Sequence, residues 1–230
     1  MTILEAFGDL RTLNDEIMSR RESFVPDPGL FSLFDDEYLG YMNSEDEAYY
    51  RWLALAVRIL QPGHVLELGS FTGGSAVSIF QELARSARLT MVDIEKDLRF
   101  CPAEMLEDPR VAFVCGNDLD LSIFGDGIPS GIDLLFIDTA HNYRQISAEW
   151  EIYQHLLSDE ALVAVDDIRL NDMGKFWDTL QYEKFDATRD CHSSGFGIFV
   201  FERRIKMDEE ERLSRALQAS RSAIACRRSR

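Results

Sequence analysis

His64-Val-Leu-Glu-Leu-Gly-Ser-Phe-Thr-Gly-Gly-Ser75 is the stretch from which the rest of the chain is read. Val65, Leu66 and Leu68 make a short apolar run that suits a buried strand. Gly69, Gly73 and Gly74 follow where a backbone must turn sharply or let a ligand come close, because glycine has no Cβ to clash. A helix starting near Gly74 points free N–H groups and a positive dipole end into that turn, so a small anionic group is its natural guest. The spacing is not the Gly-x-Gly-x-x-Gly dinucleotide pattern, and the Lys-Ser/Thr of a phosphate loop is absent. A tight turn in any α/β protein is the plainer reading of this stretch taken alone.

Outward from that stretch, apolar runs alternate with helical patterns. On the N-terminal side, residues 2–21 carry apolar side chains at helical spacing, which predicts an amphipathic helix. An aromatic segment over 24–42, punctuated by Pro26, Pro28, Gly29 and Gly40, is either a strap packed on the core or a lid over a pocket. Ser44 with Glu47 three residues on suits a capping box opening a helix that Pro62-Gly63 stops. On the C-terminal side, strands are expected at 89–92, 111–115, 132–137 and 161–165. Two more are expected at 185–187 and 198–201, joined by a glycine- and serine-rich loop. Helices are expected at 76–84, 98–106, 146–157 and 173–180, with a charged helix from 203 to about Ala225 and a basic tail to Arg230. The alternation predicts an α/β fold: a doubly wound, mostly parallel sheet covered on both faces. Three segments follow: 1–43, a sheet domain over 44–202, and 203–230.

The 230 residues include 24 basic and 41 acidic side chains, for a formal charge of −17. That balance argues against nucleic acid or an anionic membrane as partner. It suits a protein that acts on a small molecule or binds cations. No run is apolar enough for a membrane span, and no signal peptide is evident. Cys101, Cys115, Cys191 and Cys226 are scattered and suit free thiols in a reducing, cytoplasmic compartment.

The polar residues fall in a pattern. Each expected parallel strand is apolar until its end, then delivers acids or small polar groups: Glu67 to Ser70, Asp93, Asn117-Asp118, Asp138 and Asp166-Asp167. Open α/β sheets bind ligands outside the carboxyl ends of their strands. Any one of these acids suits a cap or a turn; five strand ends together suit a ligand site. Asp93 is placed to accept ribose hydroxyls, and Asn117 or Asp118 to meet a base edge. Asp166 and Asp167 are adjacent carboxylates that repel unless protonated or shared with a cation; a cap or an ion pair is the alternative for either. His141, three residues after Asp138, has the ordinary pKa of a general base, although a lone histidine is more often structural. His192 is a weaker rival for that role.

Val65-Leu66-Glu67-Leu68-Gly69-Ser70-Phe71-Thr72-Gly73 resembles the first motif of the class I S-adenosylmethionine-dependent methyltransferases, and Asp93 resembles their ribose-binding acid. Phe136-Ile137-Asp138-Thr139-Ala140-His141-Asn142-Tyr143 with Val165-Asp166-Asp167 is similar to the metal-dependent O-methyltransferases of the macrocin and cephalosporin-hydroxylase-like group. The catechol O-methyltransferases share the 28-position metal spacing. The resemblance implies a Rossmann-like seven-stranded sheet with an antiparallel last strand. It implies cofactor contacts from Glu67, Gly69, Ser70, Phe71, Ser75, Asp93, Asn117, Asp118 and Asp138. It also implies magnesium or another divalent cation on Asp138, Asp166 and Asp167, with His141 as base. Position 166 is often glutamate in the macrocin group, so Asp166 is one carbon shorter.

The implied activity is methyl transfer to a hydroxyl of a small molecule, in a chain that can form a homo-oligomer. A metal-independent methyltransferase acting on oxygen or nitrogen, and a non-catalytic protein that retains the cofactor fold, are the rival readings.

Overall fold

The computed structural model describes residues 2–42, 44 and 47–228. Seven strands, β1 (His64–Leu68), β2 (Arg88–Asp93), β3 (Val111–Cys115), β4 (Ile132–Ile137), β5 (Leu157–Asp166), β6 (Glu183–Asp186) and β7 (Phe196–Glu202), form one sheet in the order β3-β2-β1-β4-β5-β7-β6. β1 to β5 are parallel, while β7 runs antiparallel to both β5 and β6. The strand order therefore reverses between β1 and β4, the position where open sheets part to admit a ligand. β1 is buried at every residue, as its run of valine and leucine requires of a central strand.

Among the described residues ten α-helices flank the sheet: α1 (Ile3–Phe7), α2 (Leu10–Ser19), α3 (Asp36–Met42), α4 (Tyr49–Leu60), α5 (Gly74–Glu82), α6 (Ala103–Leu106), α7 (Tyr143–Tyr153), α8 (Met173–Thr179), α9 (Thr188–Cys191) and α10 (Glu209–Arg228). One core packs α4, α5 and the N-terminal segment against one face of the sheet, and a second packs α7, α8 and α10 against the other. Leu10, Leu13 and Ile17 of α2 are fully buried in the first core, each contributing about 1.5–3 kcal/mol of apolar burial. Asn14 on the same face accepts from Trp52 Nε1 at 3.0 Å and donates to Asp190 at 2.9 Å, so its amide does not go unpaired in that core. Among the described residues no helix is long and apolar enough to cross a membrane.

Several sequence expectations shift. The helix expected over 2–21 is two helices, because Gly8 takes φ +81° and Asp9 caps α2 through Thr12 N. The capping box at Ser44 does not form. The helix starts at Tyr49 after Ala48, and Glu47 instead forms an isolated antiparallel bridge with His192. The helix expected over 98–106 shrinks to α6, which begins after Pro102, while Phe100 N reaches back to the Thr72 carbonyl. α7 starts earlier than expected because Asn142 accepts from Gln145 N, and Leu157 already belongs to β5. The loop expected between β6 and β7 contains α9. The aromatic segment buries Phe24, Phe31, Phe34 and Met42 in the first core, while Tyr38 of α3 faces the cleft described next. The basic tail is helical through Arg228, and Ser229 and Arg230 lie outside the described residues.

Candidate active site

A cleft of about 990 Å³ opens over the carboxyl ends of β1, β2, β4 and β5, where the strand order reverses. Every residue expected at the site lines it except Glu67, which lies fully buried beneath. Tyr38, Tyr49, Tyr50, Gln145, His192 and Arg227 line it as well.

The glycine turn is built by close approach. Gly69 takes φ +86°, and a Cβ there would stand 1.7 Å from the carbonyl oxygen of Asp138. Asp138 N also donates to Leu68 O at 2.8 Å, so the ends of β1 and β4 are tied at the crossover. Gly73, at φ +90°, caps α5 in the left-handed region, which an L side chain rarely adopts. Phe71, in the same turn, takes φ +43° and is 71% exposed, a strained backbone of the kind that clusters at ligand sites. Its N–H donates to Asp93 Oδ2 at 2.7 Å, and Glu95 N donates to Asp93 Oδ1 at 2.9 Å. The Asp93 carboxylate is thus held at the cleft edge with lone pairs to spare.

Below the turn, Ser75 Oγ donates to Glu67 Oε1, so this hydroxyl is engaged by a buried acid. Glu67 Oε2 is buried with no partner among the described residues. Burial pushes the Glu67 carboxyl up to about 8, against the Ser75 hydrogen bond and with the Asp138 charge adding to the rise. At the far end, Asn117 Oδ1 accepts from Leu119 N, and Gln145 Nε2 donates to Asp118 at 2.9 Å and to Glu149 at 2.6 Å. Burial, then the Asp118 charge, lifts the Glu149 carboxyl well above its ordinary value. Arg227, from the last turns of α10, donates to Gln145 Oε1.

Across the cleft, four side chains from the ends of β4 and β5 converge. His141 Nε2 lies 3.1 Å from Asp138 Oδ1 and 3.2 Å from Asp167 Oδ2. The His141 backbone is at φ +24° and that of Asp167 at φ +56°. Asn171 Nδ2 donates to the His141 carbonyl, fixing the loop. Asp166 Oδ1 lies 2.9 Å from His192 Nδ1, and Ser194 Oγ donates to Asp167. The Asp138 hydrogen bond raises the His141 pKa, against the pull of burial. Burial pulls the His192 pKa down, but Asp166 and Glu47 outweigh it and carry it up to about 10. Burial, then the Asp138 charge, pushes Asp166 up to about 7.

These acids fit a cation. Asp166 and Asp167 are 3% and 5% exposed, and three crowded carboxylates out of water need positive charge beside them. Two imidazoles lie beside them, His141 between Asp138 and Asp167 and His192 between Asp166 and Glu47. The triplet whose donor atoms all lie within 4.8 Å of one another is Asp166, Asp167 and His192 rather than the three aspartates. In the sequence His192 reads only as a rival base and Glu47 as part of a capping box. Arg227 reads as part of the basic tail. No local signal tied these residues to the site, because each reaches it from a separate segment.

A parallel sheet reversing at a glycine turn, with an acid one strand over, gives the chain a Rossmann-like methyltransferase fold, and the comparisons agree with that fold. Residues 66–168 match the family described as "Methyltransferase domain". Among curated proteins none matches the chain in sequence. Solved structures share the fold at low identity. A methyltransferase from Geobacter sulfurreducens is 19% identical, covering 81% of this chain and 96% of that one, at a TM-score of 0.58. The O-methyltransferase from Bacillus cereus in complex with SAH is 17% identical, covering 83% and 97%, at 0.57. TomG from Streptomyces achromogenes, an O-methyltransferase involved in tomaymycin synthesis and solved with SAM, is 19% identical, covering 88% and 99%, at 0.59.

Proposed function

We propose that the chain transfers the methyl group of S-adenosylmethionine to a hydroxyl of a small molecule in the cytoplasm, with a divalent cation held at the acid cluster. The carrying observation is the convergence of Asp138, His141, Asp166 and Asp167 beside the glycine turn, across one cleft.

The backbone at Gly69 and Ser70 borders the methionine part of the cofactor, and Asp93 accepts from the ribose hydroxyls. Asp118, held by Gln145, faces the adenine edge. Bound S-adenosylmethionine supplies an electrophilic methyl on a sulfonium. Asp138, Asp166 and Asp167 would hold a cation, magnesium by the resemblance, which would supply Lewis acidity toward an acceptor hydroxyl. His141 Nε2 takes the hydroxyl proton, with Asp138 and Asp167 stabilising the imidazolium that forms. Tyr49, beside His192, walls the acceptor side, while Tyr38 and Tyr50 close over Gly74 at the glycine turn. Alignment of the two substrates contributes up to about 7–11 kcal/mol, so the residues need supply little bond chemistry.

The imidazoles favour a second reading. His141 between Asp138 and Asp167, and His192 between Asp166 and Glu47, already balance the acids, as a metal-independent methyltransferase requires. Turnover separates the two. Release of S-adenosylhomocysteine is followed with a panel of catechols, sugars and phenols, before and after EDTA. Loss of turnover in EDTA and recovery on adding a divalent cation are expected. Unchanged turnover in EDTA overturns the metal-assisted reading, and no calorimetric binding of S-adenosylmethionine overturns the enzyme reading.

A further inference from the structure

We propose that His192 is itself a metal ligand, through Nδ1, with Glu47 holding its other ring nitrogen, and that the centre thereby takes a first-row transition ion in preference to magnesium. The proposal rests on the metal-assisted reading above and changes both the ligand set and the ion.

The distances suit one ion. His192 Nδ1 lies 2.9 Å from Asp166 Oδ1 and 3.7 Å from Asp167 Oδ1. Ligands bonded at about 2.0–2.3 Å to a common ion lie no more than about 4.6 Å apart, and the donor atoms of these three residues fall within 4.8 Å of one another. The ring also has the support that metal-bound histidines need. A ligating imidazole almost always donates its second N–H to a carboxylate or carbonyl, which fixes the tautomer and the ring plane. His192 Nε2 lies 3.2 Å from Glu47 Oε1, on the side away from the aspartates.

Glu47 is placed for that task. It is 4% exposed, and its Oε2 is buried with no partner among the described residues. Burying a carboxylate so incompletely satisfied is costly, and a cation one imidazole away offsets that cost. The backbones of Glu47 and His192 pair as an isolated antiparallel bridge, so the carboxylate and the ring are aligned from both sides. The Tyr49 ring, 5.2 Å from the imidazole, closes a third side.

The ion follows from the donors. Magnesium keeps oxygen ligands and water, whereas imidazole suits zinc, copper, iron and nickel; manganese, which takes the same carboxylates as magnesium, serves as the paramagnetic probe of the site. Two carboxylates and one imidazole on adjacent elements leave positions open for Asp138 and an acceptor.

Pulsed electron paramagnetic resonance on the full chain loaded with Mn²⁺ tests the assignment. Bound manganese should show nitrogen modulation in the wild type and in His141→Ala, and none in His192→Ala. Glu47→Gln should retain the modulation and weaken Mn²⁺ affinity about 10–100-fold. Magnesium in tenfold excess should leave the wild-type manganese signal in place. Bound manganese without nitrogen modulation, modulation that survives His192→Ala, or modulation lost in His141→Ala overturns the assignment and leaves the metal-assisted reading standing. The His141→Ala arm decides even if His192→Ala does not fold. A wild type that binds no manganese at all overturns that reading as well.

Discussion

The α-carbon of Gly69 faces the carbonyl oxygen of Asp138 so closely that a methyl group there would stand 1.7 Å from it. With φ at +86° as well, Gly69→Ala must both strain the turn and pry β1 from β4. The expected cost is about 3 kcal/mol or more, read as a lowered melting temperature with loss of S-adenosylmethionine binding by calorimetry. An unchanged melting temperature would contradict the close approach.

Asp93 holds the turn through Phe71 N and Glu95 N while offering its remaining lone pairs to the cleft. Asp93→Ala should raise the Kd for S-adenosylmethionine about 10–100-fold, the worth of hydrogen bonds to a charged group. Asp93→Asn keeps part of the turn and should lose less. Equal Kd values for Asp93→Ala and the wild type would remove Asp93 from the cofactor site.

His141→Gln retains a polar group of similar reach and removes the proton acceptor. With an acceptor from the panel, kcat should fall about 10²–10⁴-fold while the Kd for S-adenosylmethionine stays the same. A parallel loss of cofactor affinity would mean that the imidazole serves the cofactor half instead.

Glu67 gives a pH signature. Burial first, then the Asp138 charge, lifts its carboxyl from 4.5 to about 8 over the opposition of Ser75. The folded chain keeps this proton where the unfolded chain has lost it. The contribution is therefore complete below pH 4.5 and is lost as pH rises through about 8. Denaturant unfolding of the wild type relative to Glu67→Gln should show the difference falling by up to about 1 kcal/mol per pH unit across that window. A difference independent of pH would show Glu67 ionised in both states.

The sheet was legible because its strands are short apolar runs ending in acids, a pattern that needs no tertiary information. Val65 to Leu68, Ile132 to Ile137 and the residues that follow each fall at the strand ends expected of them. What stayed hidden depends on contacts between distant segments. Glu47 satisfies a local capping pattern, yet its backbone is taken by His192, 145 positions away. The continuous helix expected over 2–21 follows the apolar period correctly but passes over the left-handed Gly8. Arg227 looks like part of a charged terminus until α10 packs along α7 and delivers it to Gln145.

The segment that matches the methyltransferase domain, residues 66–168, contains the turn, Asp93, Asp118 and the aspartates, whereas Tyr38, Tyr49, Tyr50 and His192 line the same cleft from outside it, with Glu47 behind His192. The strand-end acids and the aromatic wall around them are therefore encoded separately. Substitutions in the flanks leave the β1–β4 crossover untouched, so the wall of the cleft can change while the glycine turn stays fixed. A chimera that exchanges residues 24–50 and 187–196 with those of a homologue should inherit the homologue's acceptor and keep this chain's affinity for the methyl donor.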